Sequence, residues 1–292
     1  SPISMPKRSL KSKRPSFIPW SRKIRIIYLG ASEGFEAVRA VTEGVAESVH
    51  VEAVPEIVEA ALTESEALID ASMKVRITDA MIRVSQGLMI ISTATTGADH
   101  IELNEAEARQ IPVRTLKEDP ELLRNLTPAA EMSWALLMAC ARRIVPAAAH
   151  TCSGQWAREE FPGLMLKGKT LGLIGCGRIG QWMARYANAF AMEVVGYDPY
   201  VDPWPNTIRR LPLESLVSKA DFVSLHVHLS DETHGLVSRK IIECMKPGVI
   251  FINTSRGGLV DEDALLEALQ SGRIGGAGLD VLSGEPNVAD HP

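Results

Sequence analysis

The sequence predicts an α/β protein of two lobes, each a parallel sheet layered with helices. Three observations lead there. Short apolar runs alternate with helix-like stretches from Lys23 to about Pro112, and again from Gly168 onward. A long apolar segment, residues 128–145, separates the two alternations. The apolar run from Thr170 to Ile174 then breaks into Gly175-Cys176-Gly177-Arg178-Ile179-Gly180, a G-x-G-x-x-G bend leading into an amphipathic stretch. Strands that alternate with helices pair in parallel, and 292 residues are enough for two cores of ordinary size.

In the first lobe the apolar runs at residues 24–29, 49–54 and 88–91 read as strands, and residues 33–43 as a helix. Residues 128–145 read as one helix, with Thr127 placed to cap it and Pro128 at its first position. Apolar on nearly every face, it is expected to be buried between layers or subunits. In the second lobe the strands are residues 170–174, 192–197, 221–227, 249–253 and 276–281, with helices near 213–219, 239–245 and 262–270. The domains expected are therefore a basic tail over 1–22, a first lobe over 23–127 and a second over 128–292.

Charge is unevenly placed. Residues 1–25 carry Lys7, Arg8, Lys11, Lys13, Arg14, Arg22, Lys23 and Arg25 and no acid, so that +8 against an overall −5 leaves −13 on the remainder. An acidic body argues against nucleic-acid binding by the folded part. The basic stretch suits a solvated tail, a nuclear signal, a targeting segment or a tether to an anionic surface. No apolar run reaches the roughly 18 residues of a membrane span. Cys140, Cys152, Cys176 and Cys244 lack paired spacing and no secretory segment opens the chain, which predicts a reducing, cytoplasmic setting.

The glycine bend carries the first chemistry. Gly175 permits a tight turn after the strand, Gly177 lets the main chain approach a diphosphate with no Cβ in the way, and Gly180 allows close packing of helix on strand. The Arg178 and Ile179 amides then open a helix whose dipole favours negative charge. Asp198, eighteen residues past Gly180 and after a second apolar run, suits a ribose 2′-hydroxyl and repels a 2′-phosphate. The second lobe is thus predicted to be a Rossmann-like domain that binds NAD rather than NADP. An ordinary glycine turn is the competing reading; the strand, the helix and the acid together oppose it.

Ligands in doubly wound sheets collect at the carboxyl ends of strands. Three such ends carry polar residues: His226, Val227 and His228, with Thr233 in the loop beyond; Asn253, Thr254, Ser255 and Arg256; and Asp280 followed by Glu285-Pro286. Arg256 precedes two glycines, and its planar fork suits a carboxylate. His226 and His228, two apart on a predicted strand, would share a face and could contribute to a metal site with Cys244 or His234. No further ligand has recognisable spacing, so no metal is assigned.

These residues resemble the D-isomer-specific 2-hydroxyacid dehydrogenases, more closely the phosphoglycerate dehydrogenase-like members, over about Lys23 to Pro286. The motifs that carry the resemblance are Thr96-Gly97-Ala98-Asp99-His100-Ile101, Gly172 to Gly180, Asp221 to Val227, Phe251 to Asp261 and Leu279 to Pro286. The resemblance implies two similar lobes with substrate and nicotinamide meeting between them, and a homodimer built through the cofactor lobe. By position, Arg256 would grip the substrate carboxylate and C2 oxygen, and Thr96, Gly97 and Ala98 would offer amides to the carboxylate. His226, Val227, Thr233, Asn253, Thr254, Ser255 and Asp280 would line the cofactor. Glu285 would orient a catalytic His and raise its pKa.

The implied reaction is hydride transfer between nicotinamide and C2 of a small D-2-hydroxyacid or 2-keto acid, with a His handling the hydroxyl proton. That His is expected in a Thr-Pro-His-like segment beyond Pro292, together with a closing helix that returns to the first lobe, so the sequence reads as a fragment. His291 matches a noncatalytic Asp-His-Pro stretch. Relatives commonly carry Pro where His228 stands, and phosphoglycerate-specific members an Arg where Ala71 stands, which weakens the case for a phosphorylated substrate. The alternatives are an NAD(H)-sensing binding protein or corepressor on the same fold, and oxidation of formate or phosphite.

Overall fold

The computed structural model describes residues 24–285, 288, 289 and 291. The basic segment 1–22 and Pro286 lie outside the described residues. Chain contacts divide the protein into two compact units, Ser1–Glu118 and Asp119–Pro292.

The first unit is built on five parallel strands: β1 (Ile24–Leu29), β2 (Ala46–His50), β3 (Ala67–Asp70), β4 (Ile90–Thr93) and β5 (Val113–Arg114). Their order across the sheet is β2-β1-β3-β4-β5. Strand residues Ile27, Leu29, Leu68 and Ile91 are fully buried, and Val58, Leu62 and Ile82 from helices Pro55–Leu62 and Asp79–Val84 pack over them. The second strand begins three residues earlier than predicted. Ala46 pairs with Ile24, and Pro55 already opens the next helix with Val54 at its N-cap. The central strand β3 was not foreseen, because four residues are too few to show a period.

The second unit contains β6 (Thr170–Ile174), β7 (Glu193–Tyr197), β8 (Arg209–Arg210), β9 (Phe222–Leu225), β10 (Val249–Asn253) and β11 (Ile274–Leu279). They form one parallel sheet in the order β11-β10-β9-β6-β7-β8. The chain runs outward from β6 through β7 and β8, then crosses back to β9 and runs the other way. The reversal between β6 and β9 is the switch point at which a doubly wound sheet opens a crevice at its carboxyl ends. Apolar residues cover both faces of this sheet, and Phe222 and Phe251 are fully buried within it.

The predicted helix over 128–145 is two helices, Pro128–Ala141 and Ile144–Cys152, separated by Arg143 in the left-handed region at φ 50°. Pro146 accounts for the break: it has no N–H, and its ring would meet the carbonyl of Arg142 if the first helix ran on. Thr127 does not cap with its side chain. Its hydroxyl donates to Glu131 Oε1 at 2.5 Å instead. Ala130, Ser133, Leu137 and Ala141 of the first helix are buried, and Leu137 and Ala141 belong to the apolar layer that includes Ile250 and Ile252. Approach to the sheet is close, since a Cβ on Gly278 would lie 2.8 Å from that of Leu136.

Candidate active site

At the end of β6 the backbone turns through Gly175, at φ 95°. A side chain is excluded there twice over: an added Cβ would be strained, and it would lie 2.3 Å from the carbonyl oxygen of His226. Gly180 is held as tightly, with its would-be Cβ 2.3 Å from the Gly175 carbonyl oxygen. The first turn of helix Arg178–Ala189 is therefore seated directly on the bend. Gly177 is different, since no heavy atom lies within 4 Å of an added Cβ.

Gly177 is also the helix N-cap, and no side chain caps it. Among the described residues, the amides of Gly177, Arg178, Ile179 and Gly180 have no acceptor. Four unspent donors at a helix N-terminus, with open space at Gly177, fit a diphosphate. The Arg178 guanidinium is engaged elsewhere, donating to the carbonyl of Leu126.

Asp198 follows β7 and is tied to this bend. Its Oδ2 accepts the Cys176 amide at 2.9 Å, and its Oδ1 accepts the amides of Tyr200 at 2.9 Å and Val201 at 3.1 Å. Sequence reasoning assigned it a ribose hydroxyl. The structure adds a brace between the glycine bend and the loop after β7. Beside it lies a cleft of about 690 Å³ lined by Gln181, Tyr200, Asp202 and Trp204, within the size range of small-molecule sites. Cys176 faces inward, and burial together with the Asp198 charge pushes its thiol up to about 12, so it stays protonated and is no nucleophile at neutral pH.

Across the switch point β9 ends at Leu225, so His226 and His228 lie beyond the strand and the alternation that was to place them on one face does not reach them. His226 is drawn into the sheet end, its Nε2 2.8 Å from Ser224 Oγ and its Nδ1 buried without a partner. Burial pushes its pKa down to about 3, which keeps the imidazole neutral. His228 is exposed, and its carbonyl accepts the Thr233 hydroxyl at 2.7 Å. Val227 lies against Gly175. Among the described residues no group of three His, Cys, Asp or Glu side chains could hold a metal ion.

The loop after β10 is fixed by its own side chains. Asn253 Oδ1 accepts the Ser255 amide at 3.0 Å, while its Nδ2 donates to the Arg256 carbonyl at 3.0 Å. The Ser255 hydroxyl donates to Leu225 at the end of β9, and Thr254 meets Ser133 at 2.7 Å. Arg256 Nη1 donates to the Ser255 carbonyl at 2.7 Å. A Cβ on Gly257 would lie 2.2 Å from Leu282 and Ser283, so the segment carrying Asp280 and Glu285 packs onto the Arg256 loop. The Asp280 amide donates to Asn253. Glu285 Oε2 accepts the Leu282 amide at 3.4 Å. His291 pairs with Glu262 rather than Glu285, its Nε2 2.9 Å from Glu262 Oε2.

In the first unit, residues 94–100 follow β4. The Thr95 hydroxyl donates to the Gly97 carbonyl at 2.6 Å and the Thr93 hydroxyl to that of Thr95 at 3.3 Å. The Thr96, Gly97 and Ala98 amides have no acceptor among the described residues. Neighbouring Asp70 and His100, absent from the predicted site, meet in the interior with His100 Nε2 3.1 Å from Asp70 Oδ2.

Family comparison agrees with this geometry. Residues 134–292 match the model for the D-isomer specific 2-hydroxyacid dehydrogenase NAD binding domain, and residues 31–118 that for the family's catalytic domain. The chain is 38% identical over 211 residues to hydroxypyruvate reductase of Thermotoga maritima, covering 72% of this chain and 67% of that protein. It is also 38% identical over 230 residues to D-3-phosphoglycerate dehydrogenase of Homo sapiens, covering 78% and 42%. The chain thus matches less than half the length of that relative. D-lactate dehydrogenase from Aquifex aeolicus, complexed with NAD and lactic acid, superposes with a TM-score of 0.74 at 27% identity, covering 89% of this chain and 77% of that one. Among the described residues no helix is long and apolar enough to cross a membrane. The chain belongs to the D-isomer specific 2-hydroxyacid dehydrogenase family, and its second unit is an NAD-binding domain of Rossmann type.

Proposed function

We propose that this protein is an NAD-dependent oxidoreductase acting at C2 of a small D-2-hydroxyacid or 2-keto acid. The observation that carries the reading is the row of unspent amides from Gly177 to Gly180, joined to Asp198 through the Cys176 amide at 2.9 Å. That arrangement would hold a diphosphate at the helix start and leave the acid to a ribose hydroxyl. A bound nicotinamide supplies or accepts the hydride.

The chain's own residues bind and orient. Asp198 favours a free ribose 2′-hydroxyl over a phosphorylated one, and hence NAD. His226, Val227, Thr233, Asn253, Thr254, Ser255 and Asp280 form the wall at the strand ends. Arg256 holds the carboxylate and C2 oxygen, with its loop fixed by Asn253 and Ser255. The Thr96, Gly97 and Ala98 amides take the carboxylate, and Glu285 orients the His that exchanges the hydroxyl proton. Substrate recognition is assigned to residues 23–127 and cofactor binding to 128–292.

We further propose a cytoplasmic homodimer. Ile144, Val145, Trp156 and Met165 of the second unit are large apolar side chains at least half exposed, close together in sequence. Large apolar side chains left this exposed are what an association site covers.

The test is Arg256→Ala in the full-length protein. Keto-acid reduction should fall by about 100-fold or more, the effect of removing a bidentate charged contact, while the NADH dissociation constant stays within about threefold. Full turnover by the variant would reject the role given to Arg256.

A further inference from the structure

Asp70 is fully buried at the carboxyl end of β3. Taking a carboxylate out of water costs several kcal/mol unless charge and hydrogen bonds offset it. A residue needed only to fill the core would be apolar, as its neighbours Leu68 and Leu29 are.

What offsets the cost is divided between two loops. Asp70 Oδ1 accepts the Ser72 amide at 2.7 Å, the Ser72 hydroxyl at 2.8 Å and the Met73 amide at 3.1 Å. These bonds hold Met73 in the left-handed region, at φ 55°. Oδ2 faces the nearly buried His100, with Nε2 at 3.1 Å, a close polar contact whose angle is outside hydrogen-bond geometry. Burial alone would raise the pKa of Asp70, but the contacts with His100, Ser72 and Met73 outweigh it and hold the carboxyl below its usual range.

His100 stands two residues past Ala98. The Asp70 carbonyl accepts the Ala94 amide at 3.1 Å, and the His100 carbonyl accepts the Ile77 amide at 2.8 Å. The loop from Thr93 to His100 is therefore held to the end of β3 at one end and to Ile77, in the segment beyond β3, at the other. Between those anchors the Thr93 and Thr95 hydroxyls engage the carbonyls of Thr95 and Gly97, and the three intervening amides remain unspent.

We propose that Asp70 is a positioning residue: paired with His100, it clasps the Thr93–His100 loop in the conformation that presents the Thr96, Gly97 and Ala98 amides to the substrate carboxylate. This rests on the reading that those amides bind carboxylate.

The experiment uses the full-length protein with NADH. Asp70→Asn keeps the shape of the side chain and removes its charge, and His100→Gln removes the other half of the pair. In each, KM for the 2-keto acid should rise about tenfold, the order expected for one charge-assisted contact. The fall in kcat should be smaller than the rise in KM, and the NADH dissociation constant should not change. Hydrogen–deuterium exchange should quicken in the peptide spanning residues 93–101 and not across the rest of the first unit. The double variant should be no worse than the poorer single one.

Unchanged KM and exchange in Asp70→Asn would overturn the proposal, as would faster exchange throughout the first unit. If the wild-type protein binds NADH but reduces no 2-keto acid, the functional reading fails instead. Oxalate then serves as the carboxylate probe, and a dissociation constant for it unaltered in Asp70→Asn overturns the clasp.

Discussion

Replacing Gly177 with Ala should separate cofactor binding from folding. The backbone there, at φ −71° and ψ −154°, does not require glycine, and the new methyl meets nothing within 4 Å. The structural cost is confined to the N-cap preference, under about 1 kcal/mol, which moves the unfolding midpoint by only about 2–4 °C in a chain of this size. The same methyl, however, occupies the open side of the Gly177 to Gly180 amides. Losing two charge-assisted hydrogen bonds at about 1.5 kcal/mol each weakens NADH binding by about 3 kcal/mol, roughly 100-fold. Gly180→Ala supplies the contrast. Its Cβ would stand 2.3 Å from a backbone oxygen, so helix and bend must part by about 1 Å, a strain of about 1–3 kcal/mol. That variant should lose stability and affinity together. Fluorescence titration with NADH and calorimetric unfolding on the same samples decide the matter. Near-wild-type NADH affinity in stable Gly177→Ala would refute the diphosphate cradle.

His226 should remain neutral through the physiological range, because burial lowers its pKa to about 3. Its ring signals should not move between pH 8 and 5 in NMR titration, and a midpoint near 6.5 would contradict the burial. The unfolded chain binds that proton below about pH 6.5, whereas the folded chain does so only near 3, so His226 erodes stability as pH falls through that window. His226→Gln should show a shallower acid slope of stability over the same interval. Light scattering at micromolar concentration should give twice the chain mass, and Val145→Glu should shift the protein to monomer. A monomeric wild type would remove the proposed dimer.

Legibility in the sequence followed how local each cause is. The bend at Gly175 to Gly180, strands β6 and β10 and the helices at Leu213–Lys219 and Glu262–Gln270 depend on residues within a few positions, and they appear where predicted. β11 was placed two residues late, and three glycines, Gly275, Gly276 and Gly278, fall within it. Two of them are in fact spacers: a Cβ on Gly275 would lie 2.6 Å from the Gly248 carbonyl oxygen, and Gly278 admits helix Pro128–Ala141. A glycine selected for close approach across a sheet leaves the same letter as one selected for a turn. Only the partner element distinguishes them.

The two aspartates at strand ends show the same boundary within the site. Asp198 could be found because its distance from a glycine motif is set by one strand–helix–strand unit. Its brace on the Cys176 amide could not, since any acceptor at the end of β7 would give the same pattern of letters. Asp70 had no motif to be measured from. Its partner His100 is thirty residues away on the far side of β4, and a charged residue ending a short apolar run ordinarily reads as the surface end of a strand. Burial converts that reading into its opposite. An aspartate with no exposure needs partners, and identifying what surrounds it, two amides and a hydroxyl on one oxygen and an imidazole 3.1 Å from the other, is what leads from an unremarked residue to the loop it holds.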